Sequence, residues 1–235
     1  YKDKHPEWYA FDEGLGYRTI DLQNGITEDG KLDESMEESV LKVAIEELKK
    51  DIINNPNVDY FQFEQEDGNT VYQYEPDSWK QKVVDKYGRS GILIRFCNVI
   101  ARAIDKWAKE ELDGRQVNIV TAAYGPTRFA PVKEENGKLV PIDETVIPAE
   151  NLMLRIAVGS NEAYPRFDYE KQIKHLEPFK GWEVLANKGI IDSFITSSPS
   201  RIINTFSNFA SNDYLGISTD VELREEFLAN NKSLL

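Results

Sequence analysis

The sequence predicts an α/β fold built on parallel strands, and three observations carry that prediction. Short apolar runs alternate with longer stretches of helical spacing, which is the pattern of βα units. The runs stop at turn signals such as Asn24-Gly25 and Gly125-Pro126. With 235 residues, 40% of them hydrophobic, the chain can bury a large core without staples.

The elements follow in order. Tyr17 to Leu22 reads as the first strand. Asp33 or Ser35 then caps a helix to about Asp51, with Val40, Leu41, Ala44, Ile45 and Leu48 at helical spacing. Asn54-Asn55-Pro56-Asn57 ends it. Val58 to Phe63 is the second strand, and a polar, aromatic loop runs on to about Tyr87. The clearest helix spans Ser90 to Leu112, where Leu93, Phe96, Cys97, Ile100, Ile104 and Trp107 share one apolar face. Val117 to Tyr124 is the third strand. Arg128 to Pro148 reads as a long loop with room for a hairpin, and Leu152 to Val158 as the fourth strand. A helix lies within Tyr169 to Asn187 and the fifth strand is Gly189 to Ile195. Ser198-Pro199 opens another helix. Tyr214 to Ser218 is a sixth short strand, and Thr219-Asp220 caps a final helix.

Five clear units and a weaker sixth fit two architectures. A (β/α) barrel normally has eight units and about 250 residues. An open doubly wound sheet needs fewer and is favoured by the count alone. Neither GxGxxG nor GxxxxGK[ST] occurs, so a nucleotide-binding version lacks its phosphate loop and no cofactor is implied.

Composition excludes several functions. Lys and Arg total 28 against 41 Asp and Glu, a net charge of -13. Such a field repels phosphate backbones and argues against nucleic acid as a partner, while a neutral ligand such as a sugar is unaffected. The single cysteine, Cys97, makes no internal disulfide and no cysteine-rich zinc site. Two histidines, His5 and His175, supply no histidine-rich metal site and no convincing Ser-His-Asp arrangement. No apolar run reaches the roughly 18 residues of a membrane span, and no signal peptide is visible. The chain starts without Met and is expected to be a piece of a longer protein.

In parallel α/β folds ligands sit at the carboxyl ends of the strands. Glu64, Gln65, Glu66 and Asp67 follow the second strand. Carboxylates this close raise one another's pKa, which suits general acid work; the plainer reading is an acidic turn in solvent. Tyr124, Thr127 and Arg128 follow the third strand and can grip a polyhydroxylated ligand, or serve as a structural Tyr and a surface Arg. Ser160, Asn161 and Glu162 follow the fourth. Asp192 lies inside the apolar run Ile190 to Phe194, where it must be hydrogen-bonded or functional. Together these groups suggest glycoside hydrolysis, which places two carboxyl groups about 5–9.5 Å apart across the scissile bond. Trp8, Tyr9, Tyr72, Tyr74 and Trp79 offer flat faces for sugar rings, or pack under their loops. His5 is a further ligand contact candidate, His175 reads as structural, and Cys97 reads as core.

Several segments, in order, resemble a bacterial family known as domain of unknown function 4838. They are His5-Pro6-Glu7-Trp8-Tyr9-Ala10, Phe61 to Asp67 with its Gln-Asn-Asp type ending, and Ser90-Gly91-x-x-x-Arg95-Phe96-x-Asn98. Tyr124 with Thr127-Arg128 and Pro131, Asn151 to Ile156, and Gly181-Trp182 to Asp192 continue the match. The resemblance covers roughly residues 5 to 195. It implies a glycoside-hydrolase-like (β/α)8 TIM barrel, incomplete in this chain, over residues 1–235. It also implies a carbohydrate ligand and a secreted, periplasmic or cell-surface location. Carried over, Gln65 and Asp67 match the strand-end signature, while Glu66 stands for its Asn. Asp67 becomes the candidate general acid, with Glu64 or Glu66 tuning it and Glu162 or Asp192 on the other face. His5, Trp8, Glu64, Gln65, Tyr124, Arg128 and Asn161 become substrate contacts. Two departures stand out: Thr70 to Ser78 lacks the family's cysteine cluster, and Ser160 occupies the position of its later acid. A non-catalytic carbohydrate-binding protein is the alternative to a hydrolase.

Overall fold

The computed structural model describes residues 2–12, 16–64, 74–156 and 180–186. The chain divides into two units, Tyr1–Phe194 and Ile195–Leu235, and every described residue lies in the first.

The chain enters through a 3-10 turn, Pro6–Trp8, into an antiparallel pair, β1 (Tyr9–Asp12) and β2 (Gly16–Ile20). The first expected strand therefore exists, but it pairs with Tyr9–Asp12 rather than joining a parallel sheet.

Helix α1 covers Val40–Asn54 and buries Val40, Leu41, Ile45, Leu48 and Ile52, as the apolar spacing requires. Its cap is Ser39, whose side chain accepts from the Lys42 N–H at 3.2 Å. Asp33 instead accepts from both N and Oγ of Ser35, which closes a local turn ahead of the helix. The Asn24-Gly25 turn also serves α1, because Asn24 Oδ1 accepts from the Val40 N–H at 2.9 Å. Gly25 has φ +93, and a Cβ there would lie 2.8 Å from Leu41 Cβ and collide with the capping Ser39 hydroxyl. Gly25→Ala is expected to destabilise by about 2–3 kcal/mol, combining left-handed strain with a clash that displaces the cap. Denaturant unfolding checks this, and a loss under about 0.5 kcal/mol contradicts it.

Helix α2 covers Trp79–Glu111 and begins earlier than the apolar spacing suggests. It joins two helical parts across Gly88, whose φ of 61 and ψ of -173 are not helical. Ser78 caps the first part through the Gln81 N–H. The second part is enclosed on all sides at its start, with every residue from Ser90 to Ala101 buried. The polar members of the Ser-Gly-x-x-x-Arg-Phe-x-Asn pattern, Ser90, Arg95 and Asn98, are thus interior residues, and Arg95 Nη2 donates to the Glu28 carbonyl. A Cβ on Gly91 would lie 2.5 Å from Tyr87 Cβ and 3.2 Å from Pro131 Cβ, so glycine permits that approach. Asn98 donates to the carbonyls of Thr145 (3.0 Å) and Ile147 (2.9 Å) and accepts from the Ala149 N–H (2.7 Å). Cys97 is fully buried, as expected, and burial pushes its thiol up to about 12.

Three parallel strands, β3 (Tyr60–Gln62), β4 (Asn118–Ala123) and β7 (Leu152–Ile156), form an open sheet in the order β3-β4-β7. Phe61, Ile119, Leu152 and Leu154 are buried, and Phe63 stacks on Phe96 of α2 at 5.5 Å between ring centroids. Between β4 and β7 runs an antiparallel hairpin, β5 (Val132–Glu135) and β6 (Lys138–Pro141), turning at Asn136-Gly137. A short 3-10 turn, Glu144–Val146, follows it.

These findings overturn the (β/α)8 barrel. The described strands make three separate sheets of two, three and two strands. Among the described residues only β3-α2-β4 is a strand-helix-strand unit with both strands in one sheet: the strands flanking α1 lie in different sheets, and a hairpin and 3-10 turns replace the helix between β4 and β7. The misreading has a physical source. Apolar strand runs look alike in sequence whether they pair in parallel or, as at Tyr17, antiparallel with a neighbour. The expected fifth and sixth strands and the last two helices lie outside the described residues.

Candidate functional site

The carboxyl ends of β3, β4 and β7 lie along one edge of the parallel sheet. Ala122 pairs with Arg155, while Gln62 pairs with Val120, two residues before Ala122. Glu64, two residues beyond Gln62, therefore falls in the same row as Ala122 and Arg155. Across that row Arg155 Nη2 donates to Glu64 Oε1 at 2.6 Å. The two outer strands of a three-stranded sheet stand about 9.6 Å apart, so both side chains must reach over β4. The small side chain of Ala122 leaves that path open. Arg155 is partly buried, and its Nε has no hydrogen-bond partner among the described residues.

Beyond β4 the chain turns through a 3-10 helix, Gly125–Thr127. Buried Thr127 pins the backbone of Tyr124: its hydroxyl accepts from the Tyr124 N–H at 3.2 Å and donates to the Tyr124 carbonyl at 3.1 Å. The Arg128 carbonyl accepts from Trp182 Nε1 at 2.7 Å, and Trp182 is fully buried. A Cβ on Gly181 would lie 2.9 Å from Ala130 Cβ. The Gly181-Trp182 pair is therefore how the helical stretch 180–186 closes on the strand end. Glu64 and Arg155 meet across this edge, and Tyr124 and Arg128 follow the end of β4 in the chain. Of the other expected residues, Gln65, Glu66, Asp67, Asn161, Glu162 and Asp192 lie outside the described residues.

His5 and Trp8 do come together, but not as an open sugar platform. Trp8 is 4% exposed, and the His5 ring stacks on it at 4.1 Å with 15° between the planes. His5 Nδ1 contacts Glu7 Oε1 at 3.1 Å. Trp79 is half-buried in the first turn of α2 rather than in a loop.

Two features escaped the sequence reading. Arg155 stands in an apolar strand, the same signal that singled out Asp192. Asp21, 4% exposed, closes the run Thr19-Ile20 and is held by Lys80 Nζ at 2.8 Å, by the Gln23 N–H at 2.8 Å and by the Tyr74 hydroxyl. The Lys80 ammonium also lies 5.3 Å from the Tyr74 ring centroid.

Asp143 is the strongest electrostatic feature of the connection to β7. Partial burial works against its charged form. Hydrogen bonds from Lys86, Tyr87 and Thr145 prevail and hold its carboxyl well below the usual carboxylate range. A folded-state pKa below the unfolded value gives stability that is present above about pH 4 and lost as pH falls toward the folded pKa. The thermal midpoint is expected to drop from about pH 4 downward, and Asp143→Asn is expected to flatten part of that drop. Identical acid profiles for both proteins contradict this role.

Among the described residues no three His, Cys, Asp or Glu gather as metal ligands, and no helix is long and apolar enough to cross a membrane. No curated protein and no solved structure matches the chain. A family model does match, across residues 1–196, and it spans the Trp8, Asn98, Thr127 and Trp182 positions whose local roles are described above. The chain belongs to the family described as Domain of unknown function (DUF4838).

Proposed function

We propose that this chain hydrolyses a glycosidic bond at the carboxyl edge of β3, β4 and β7, with Asp67 as general acid. The observation that carries this reading is the Glu64–Arg155 ion pair spanning that edge. It anchors the end of the segment whose sequence continues through Gln65 and Glu66 to Asp67. Tyr124 and Arg128 at the neighbouring strand end add hydroxyl and guanidinium groups suited to a polyhydroxylated ligand. Asp67 gives its proton to the leaving glycosidic oxygen as the C–O bond breaks. Glu162 or Asp192 then acts from the other face, as nucleophile or as base for water, within about 5–9.5 Å. The same reading puts the substrate outside the cytoplasm, as an oligosaccharide or polysaccharide met by a secreted or surface-held protein.

A second reading is a carbohydrate-binding protein without catalysis. It draws support from Glu64, whose carboxylate is engaged by Arg155 and so is not the partner of Asp67. Reducing-end assays on the chain and on Asp67→Asn test the first reading. Glycan binding without release supports the second.

A further inference from the structure

We propose that the Phe129 ring is a stacking platform for one sugar ring of a glycan, mounted where the chain leaves the carboxyl end of β4. The inference rests on the carbohydrate reading but not on the role of Asp67. Phe129 is 65% exposed, the highest value for a large hydrophobic side chain among the described residues. A single exposed apolar side chain needs no explanation by itself. What distinguishes Phe129 is how the chain on either side of it is held.

Ahead of it, buried Thr127 closes the 3-10 turn on Tyr124, and the Arg128 N–H donates to the Gly125 carbonyl at 3.2 Å. The Arg128 carbonyl in turn accepts from Trp182 Nε1. Behind it, the Ala130 carbonyl accepts from the Val132 N–H at 2.9 Å, and Ala130 lies close against Gly181. Pro131 is buried against Gly91, and its carbonyl accepts from the Ile142 N–H at 3.2 Å. Positions 127, 128, 130 and 131 are thus each tied to the body of the protein, while the side chain between them stands in solvent. A ring presented on a fixed backbone gives up only two side-chain torsions when a ligand covers it, so ordering costs little.

The packing of α2 fixes the location. Phe63, the residue after β3, stacks on Phe96, and α2 also packs on the 125–127 turn. Gly91, which meets Pro131, belongs to the same end of the buried part of α2 as Phe96. The 127–131 segment therefore lies on the carboxyl side of the sheet. Tyr60, 57% exposed, opens β3 and pairs with Asn118 at the amino end instead. The occupant follows from the platform. The face of a phenyl ring is apolar and electron-rich. A pyranose with equatorial hydroxyls, as in glucose or xylose, carries its axial C–H groups on its flat faces, and these complement the phenyl face. The contact needs no charged group, so the net charge of -13 does not oppose it. A protein partner would need a contiguous apolar patch larger than a few hundred Å². Here the apolar surface is one ring, and the hairpin that follows exposes Lys133, Glu134, Glu135 and Lys138.

The test is isothermal titration calorimetry with cellohexaose and xylohexaose on the unmodified chain and on Phe129→Ala, Phe129→Leu, Phe129→Trp, Tyr60→Ala and Asp67→Asn. At least one of the two oligosaccharides is expected to bind the unmodified chain. Phe129→Ala and Phe129→Leu are expected to weaken that binding about tenfold, since leucine keeps an apolar surface but loses the aromatic face. Phe129→Trp is expected to retain it. Because the side chain lies in solvent, all three are expected to keep the thermal midpoint within about 2 °C. Tyr60→Ala and Asp67→Asn are expected to bind as the unmodified chain does. Unchanged affinity in Phe129→Ala or Phe129→Leu, or an equal loss in Tyr60→Ala, overturns the platform and leaves the carbohydrate reading standing. Binding of neither oligosaccharide also overturns it, and release from another glycan in the reducing-end assay would then still support the hydrolase.

Discussion

Asp67→Asn is expected to lower glycan hydrolysis by about 10²–10⁴-fold, the usual cost of removing a general acid, while leaving the unfolding transition in place. The substitution keeps the shape of the side chain and removes only the proton it donates. The loss should be smallest on substrates whose leaving group needs no protonation, such as a 2,4-dinitrophenyl glycoside, because the acid then has little to do. Comparing a natural glycan with that activated glycoside therefore separates an acid from a merely positioning carboxylate. An equal loss on both substrates would assign Asp67 a different role, and no loss would remove it from the chemistry.

Asn98→Ala is expected to destabilise the protein by about 3 kcal/mol. Asn98 is fully buried and makes three hydrogen bonds, all to backbone groups of the segment that leads into β7. Removing it leaves two carbonyls and one N–H in the interior without partners, each costing about 1–3 kcal/mol before relaxation. The same segment carries Val146, which is fully buried, and delivers Leu152 to its place beside Ile119. Loosening it should disturb β7 and, with it, the Arg155 end of the ion pair. Urea unfolding measures the effect, with Arg102→Ala on the exposed face of α2 as a control expected within about 0.5 kcal/mol. A loss under about 1 kcal/mol for Asn98→Ala would mean that the segment is held by its apolar contacts alone.

The legible parts of the fold were those written in local periodicity. The apolar faces of α1 and α2 follow directly from residue spacing, as does the buried Cys97. The strand positions at Tyr60, Asn118 and Leu152 were legible too, because each is a short apolar run closed by a turn signal. Pairing was not legible. Tyr17 to Ile20 has the composition of any strand, and its antiparallel partner Tyr9–Asp12 sits in a segment read as a ligand-binding motif. The helical cap at Ser39 was hidden because Asp33 and Ser35 carry the same capping chemistry and spend it on a turn.

The candidate site divides in the same way. Strand-end logic picked out Glu64, Tyr124 and Arg128, because the residues after a parallel strand can be numbered once the strand is located. It passed over Arg155, whose importance comes from lying in one row with Glu64 across β4, a fact of register and not of order. Trp8 shows the opposite error: an aromatic read as a sugar platform is buried under His5.

The most direct measurement of the central claim is a reducing-end assay of the purified chain against a panel of plant and host polysaccharides and their oligosaccharides, with Asp67→Asn run beside it. The account predicts release from at least one glycan by the unmodified chain and its loss in the variant. No release from any glycan, together with no binding to any, would contradict a carbohydrate function at this edge of the sheet.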